Sequence, residues 1–109
     1  MSTRATVKIY NENNKVLVTI YKHWDGYPDG FGKELREICD GQTLVNGLGL
    51  DKQRVSNGMD CFAATLIASI KREAGDVYIC LPGCREEYNY NIKPNGNQIK
   101  VTCDEEPEW

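Results

Sequence analysis

Residues 5–22 read ATVKIYNENNKVLVTIYK, and this stretch decides the fold. Ala5, Val7 and Ile9 alternate with Thr6, Lys8 and Tyr10, the period of two that marks a half-buried strand. Asn11-Glu12-Asn13-Asn14 is turn chemistry, because asparagine tolerates left-handed dihedrals and bonds to its own backbone. Residues 16–22 are a second β-rich run. Two such runs around a short polar turn make a hairpin. A hairpin with one apolar face must bury it against another layer.

The rest of the chain supplies that layer and more strands. Phe31, Leu35 and Ile38 recur at helical spacing, which predicts a helix over 31–39, with Asp29 as its N-cap and Gly41 as its stop. Residues 41–58 read as an ordered connector with apolar islands at 43–45, Leu48 and Leu50. The strongest helical signal follows. Met59, Phe62, Ala63, Leu66, Ile67 and Ile70 share one face, predicting a helix over 59–74 with Lys71 and Arg72 complementing its C-terminus. Strands are expected at 77–81, 87–92 and 98–103, the last two joined by an Asn-Gly turn within 93–97. The order ββααβββ predicts an α+β fold: a single antiparallel sheet of about five strands with both helices on one face.

Composition bounds the possibilities. The 109 residues suit a single domain over 1–109. Hydrophobic residues make up 40% and charged residues 27%, a globular mixture rather than a disordered one. No apolar run is long enough to span a bilayer, and the N-terminus has no apolar leader segment. The expectation is an intracellular protein without a membrane partner. The net charge is −3, and four acids fall in residues 104–109, which read as a loose acidic tail. The basic residues are scattered, with Lys71-Arg72 the one adjacent pair, so nucleic-acid binding is disfavoured. Five cysteines, an odd number, argue for free thiols in a reducing compartment.

No complete catalytic constellation is present, and no cofactor or metal is expected. Cys80 and Cys84 flank a turn four residues apart, but a closed metal site needs four ligands. Gly47-Leu48-Gly49 lacks the following Gly-Lys-Ser/Thr of a phosphate loop. Two places remain where function could reside. The first is the 23–30 loop, where His23, Trp24, Asp25, Tyr27 and Asp29 bring an imidazole, an indole, a phenol and two carboxylates together. They could hold a ligand or metal, or serve as acid and base. The favoured reading of the loop is structural: Trp24 and Tyr27 pin it to the core while the aspartates make turns and a cap. The second is the outward side of the sheet, where Tyr10, Leu17, Thr19, Tyr21 and Tyr78 would face away from the helices. Tyrosine is enriched at interfaces, and pairing two copies is a common way to cover such a face.

The run from Ile20 to Leu35, with its Asp25-Gly26-Tyr27-Pro28 block and Gly30-Phe31-Gly32-Lys33-Glu34-Leu35, resembles a family of small uncharacterised proteins. That family comes from large DNA viruses, marseillevirus-like giant viruses above all, and from bacteriophages. Ser2-Thr3-Arg4-Ala5 and Asn57-Gly58-Met59 with Ala63 and Ala64 are similar too. The resemblance implies a viral origin and a place in the host cell cytoplasm or the virion. It implies no reaction and carries over no catalytic residue. The two function classes are then a non-enzymatic interaction protein acting as a homodimer, with other protein partners open, and a small enzyme or ligand- or metal-binding protein using the 23–30 loop.

Overall fold

The computed structural model describes residues 2–45, 54–107 and 109. The alternation of residues 5–22 becomes strands β1 (Ala5–Tyr10) and β2 (Val16–Lys22), paired antiparallel. Asn11 Oδ1 accepts hydrogen bonds from the Asn13 and Lys15 amides at 2.8 and 2.9 Å, and Asn14 adopts a positive φ of 62°. The pairing jumps from Ile9–Val18 to Tyr10–Val16, so Leu17 is an extra residue bulged out of the ladder.

A π-helical turn (Pro28–Gly32) leads into α1 (Lys33–Cys39), with Phe31, Leu35 and Cys39 buried. The helical path thus starts at Pro28, whose fixed φ suits a first turn. Asp29 is exposed and makes no capping bond, so it is not the N-cap expected of it. The stretch expected as a connector carries short strands β3 (Thr43–Val45) and β4 (Val55–Asn57), paired parallel in a small second sheet, so the order is not ββααβββ. Leu48, Leu50 and the Gly47-Leu48-Gly49 stretch lie outside the described residues.

Helix α2 (Gly58–Ile70) buries Met59, Phe62, Ala63, Leu66 and Ile70, the stripe its periodicity predicts. The Met59 amide donates to Glu12 Oε2 at 2.7 Å, so the β1–β2 turn caps this helix from a distance. The helix ends before residue 74. Lys71 is extended, and its Nζ donates to the Gly75 and Val77 carbonyls, both at 2.9 Å. Arg72 ion-pairs with Glu34 of α1. These two cations tie down the next turn and the neighbouring helix rather than the end of their own.

The main sheet adds β5 (Val77–Cys80), β6 (Tyr88–Asn95) and β7 (Gln98–Cys103), in the order β5-β2-β1-β6-β7. It is not a purely antiparallel sheet: β1 and β6 run parallel, Val7 beside Tyr90. Residues 81–87 carry the chain from the β5 edge past β2 and β1 to reach β6. No helix makes this crossover, so the sequence offered no βαβ signature for it. Pro94 sits inside β6 opposite Ile99, and the β6–β7 turn tightens to Gly96 and Asn97.

One face of the sheet carries Ala5, Val7, Ile9, Ile20, Val77, Tyr90, Ile92, Ile99, Val101 and Cys103. These form a single core with the buried residues of both helices. Both helices therefore cover one face, as the pattern predicts. Each large side chain buried here contributes about 2–3 kcal/mol.

Candidate functional site

The Asp-Gly-Tyr-Pro block is held by its backbone. Asp25 adopts a positive φ of 58°, and its carbonyl accepts from the Phe31 amide at 2.8 Å. The Gly26 amide donates to the Thr3 carbonyl at 2.9 Å, and the Gly26 carbonyl accepts from the buried Tyr90 hydroxyl at 2.7 Å. A Cβ on Gly26 would come within 2.8 Å of the Ala5 Cβ and 2.9 Å of the Thr3 oxygen. Only glycine permits this approach. Trp24 and Tyr27 do not pin the loop, for both are exposed, at 48% and 42%.

The candidate acid–base residues part company. His23 Nδ1 and the Tyr21 hydroxyl share a hydrogen bond of 2.7 Å, and the His23 ring packs edge-on against Trp24 with centroids 5.0 Å apart. Burial pushes the Tyr21 phenol up, so it keeps its proton at neutral pH. Asp25 is exposed in the loop. Asp29 lines a cleft of about 700 Å³ between α1 and the free edge of β7, together with Lys33, Arg36, Glu37 and Trp109. Cys39 also borders this cleft, but burial pushes its thiol up to about 12. It supplies no thiolate at neutral pH. Among the described residues no group of three or more His, Cys, Asp or Glu side chains is placed to hold a metal ion.

The outward tyrosines fare differently from one another. Tyr21 and Tyr78 are cross-strand neighbours with ring centroids 6.0 Å apart, and the Lys71 ammonium lies 5.5 Å from the Tyr78 ring centre. Tyr78 is 52% exposed. Leu17 is exposed on its bulge. Thr19 is buried, and its hydroxyl has no hydrogen-bond partner among the described residues, so it offers no contact surface. Thr6 and Asn89 on the same side of the sheet are buried as well. Glu86 of the 81–87 crossover meets this part of the face at Asn89. Asn89 Oδ1 accepts from the Thr6 hydroxyl at 2.7 Å and the Glu86 amide at 3.0 Å, and Asn89 Nδ2 donates to the Glu86 carbonyl at 2.8 Å. Tyr10 lies at the uncovered end, half-buried under the Lys93 ammonium.

The structure thus joins half of one expected site to half of the other. His23 and Trp24 from the loop, with Tyr21 and Tyr78 from the sheet, form one aromatic margin along β2 and β5. Along β2, β5 and the residue after β5 lie others that the periodicity did not single out: Val16, Ile79 and Leu81, exposed at 44%, 65% and 79%, with Ile79 on the helix-bearing side as the register partner of Ile20. A signal for them existed, since residues 77–84 contain no charged side chain on either side of the strand.

The acidic tail also departs from expectation. Asn89 donates from its amide and side chain to Glu105, at 2.6 and 2.9 Å, and Arg85 pairs with Asp104 at 3.2 Å. Trp109 packs on Tyr90 with centroids 5.7 Å apart and stacks against the Arg36 guanidinium at 4.5 Å.

No protein-family model, curated protein or solved structure matches this chain. No helix among the described residues is long and apolar enough to cross a membrane.

Proposed function

We propose that this chain is a non-enzymatic interaction protein that works as a homodimer, two copies joining edge to edge along β5. One observation carries the reading. Among the described residues, Val16, Leu17, Tyr78, Ile79 and Leu81 are five of the most exposed large apolar side chains, and all lie on β2, β5 or directly after β5. β5 is a sheet edge. Edge strands of proteins that stay monomeric carry charges, prolines or bulges that block pairing, and β5 carries none within Val77–Cys80. Antiparallel pairing of β5 with its copy is isologous and closes at two chains. The uncharged run 77–84 sets no like charges against each other. Tyr78 and Trp24 would contribute rigid aromatic surface beside the joined strands.

The resemblance to proteins of giant viruses and bacteriophages supplies the setting, the host cell cytoplasm or the virion. Catalysis through the 23–30 loop has less support, because His23, Asp25 and Asp29 keep separate neighbours.

Light scattering on the eluting protein tests the dimer. The expected mass is twice the 12.3 kDa of the chain. Ile79→Asp places a carboxylate on each of the joined strands and is expected to yield a folded monomer. A monomeric parent chain at high concentration, or an undiminished Ile79→Asp dimer, would sink the proposal.

A further inference from the structure

Lys8 stands far in the chain from the hairpin neighbours Lys93 and Lys100, and the sheet brings the three together. Asn91 is the register partner of Lys8 on β1 and of Thr102 on β7, and Lys93 directly opposes Lys100. All three lysines therefore project from the face opposite the helices, across β1, β6 and β7. Thr6, Thr19 and Asn89 are buried toward the other end of this face, where Glu86 of the crossover bonds Asn89, but this end is open. Lys93 and Lys100 are exposed, while Lys8, Tyr10, Asn91 and Thr102 are half-buried. Asp104 and Glu105 occupy the other end, where Arg85, Asn89 and Asn91 engage them. None of the three lysines has an ion-pair partner among the described residues.

The arrangement leaves like charges uncompensated. Two ammonium groups directly opposite on neighbouring strands destabilise a sheet. Lys93 is steadied only by the Tyr10 ring, 4.5 Å below its Nζ, while the Tyr10 hydroxyl donates to Asn91 Oδ1 at 3.3 Å. A bound polyanion would relieve the repulsion.

We infer that this end of the sheet binds single-stranded nucleic acid through its phosphates. The three strands span about 10 Å, which a flexible strand can match by bringing successive phosphates onto the lysines. A rigid duplex presents a convex cylinder to this flat face and reaches fewer of them. Contacts to phosphate carry charge recognition without base sequence, so the binding is sequence-tolerant and sensitive to salt. The site lies away from β5, so it stands or falls independently of the dimer.

Fluorescence anisotropy with a labelled oligothymidylate at low ionic strength tests the inference. Three neutralised phosphates predict a slope of log K against log salt of about −2 for a single strand. Each of Lys8→Gln, Lys93→Gln and Lys100→Gln should flatten that slope by about 0.7. The triple variant should lose binding while its circular dichroism and elution volume stay those of the parent. Three results would overturn the inference: no binding at low salt, an unchanged slope in the triple variant, or equal affinity for polyglutamate. Equal affinity for a duplex of the same sequence would overturn the single-strand assignment.

Discussion

Asp76 holds three consecutive residues at the end of β2, Lys22, His23 and Trp24. It ion-pairs with the buried Lys22 ammonium and accepts from the Trp24 amide at 3.0 Å, while its own carbonyl accepts from the His23 amide at 2.8 Å. Burial opposes its ionisation, but Lys22 and the two amides outweigh burial and hold the carboxyl below its usual range. A depressed folded-state pKa contributes stability above the unfolded value of 3.8, and that contribution is lost as pH falls through the folded value. Asp76→Asn keeps the shape and tolerates the positive φ of 65°. It leaves Lys22 buried without a counter-ion. The expected cost at pH 7 is about 2 kcal/mol in urea unfolding. The gap between variant and parent should close as the pH drops below the folded-state pKa. A gap that persists in acid would show that charge is not the cause. Gly26 makes the complementary point about backbone: its place in the block is set by close packing against Thr3 and Ala5, where no side chain fits.

Among the elements, α1 is the one whose anchoring was hardest to foresee. It is two turns long and too short to be stable by itself. The chain's last residue supports it, with Trp109 inserted between Tyr90 and Arg36 beside Gly32, where an added Cβ would meet the indole at 2.7 Å. Trp109→Ala should cost about 2 kcal/mol by lost packing, measured by urea unfolding followed through far-ultraviolet circular dichroism. Faster amide exchange confined to α1 and β7 should accompany it. An unchanged midpoint would mean that the tail does not carry α1. The hairpin β1–β2 and helix α2 were legible because each is set by local periodicity. The parallel β1–β6 pair was not, because the 81–87 crossover has no helical pattern and its anchor, Asn89, bonds to partners at Thr6, Glu86 and Glu105.

For the molecule as a whole, one core decides which of the five thiols react. Cys61 is exposed, Cys80 and Cys84 are half-buried, and Cys39 and Cys103 are buried. Burial and the neighbouring Cys84 thiol push Cys80 up to about 12, and burial raises Cys103 as well. Native-state labelling with a disulfide reagent should modify Cys61 first and Cys80 and Cys84 slowly. Cys39 and Cys103 should react only at the rate of global opening. Fast modification of Cys103 would contradict the packing of the final strand. By itself the sequence determined the α+β class, the strands and helices with strong periodicity, and the face that each turns inward, because those depend on neighbours a few residues away. The tertiary structure alone decided the parallel pair, the burial of Thr19, the separation of His23 from Asp29 and the meeting of Lys8, Lys93 and Lys100. Each of these depends on strand order and register, which set distances between residues that chain position leaves unspecified.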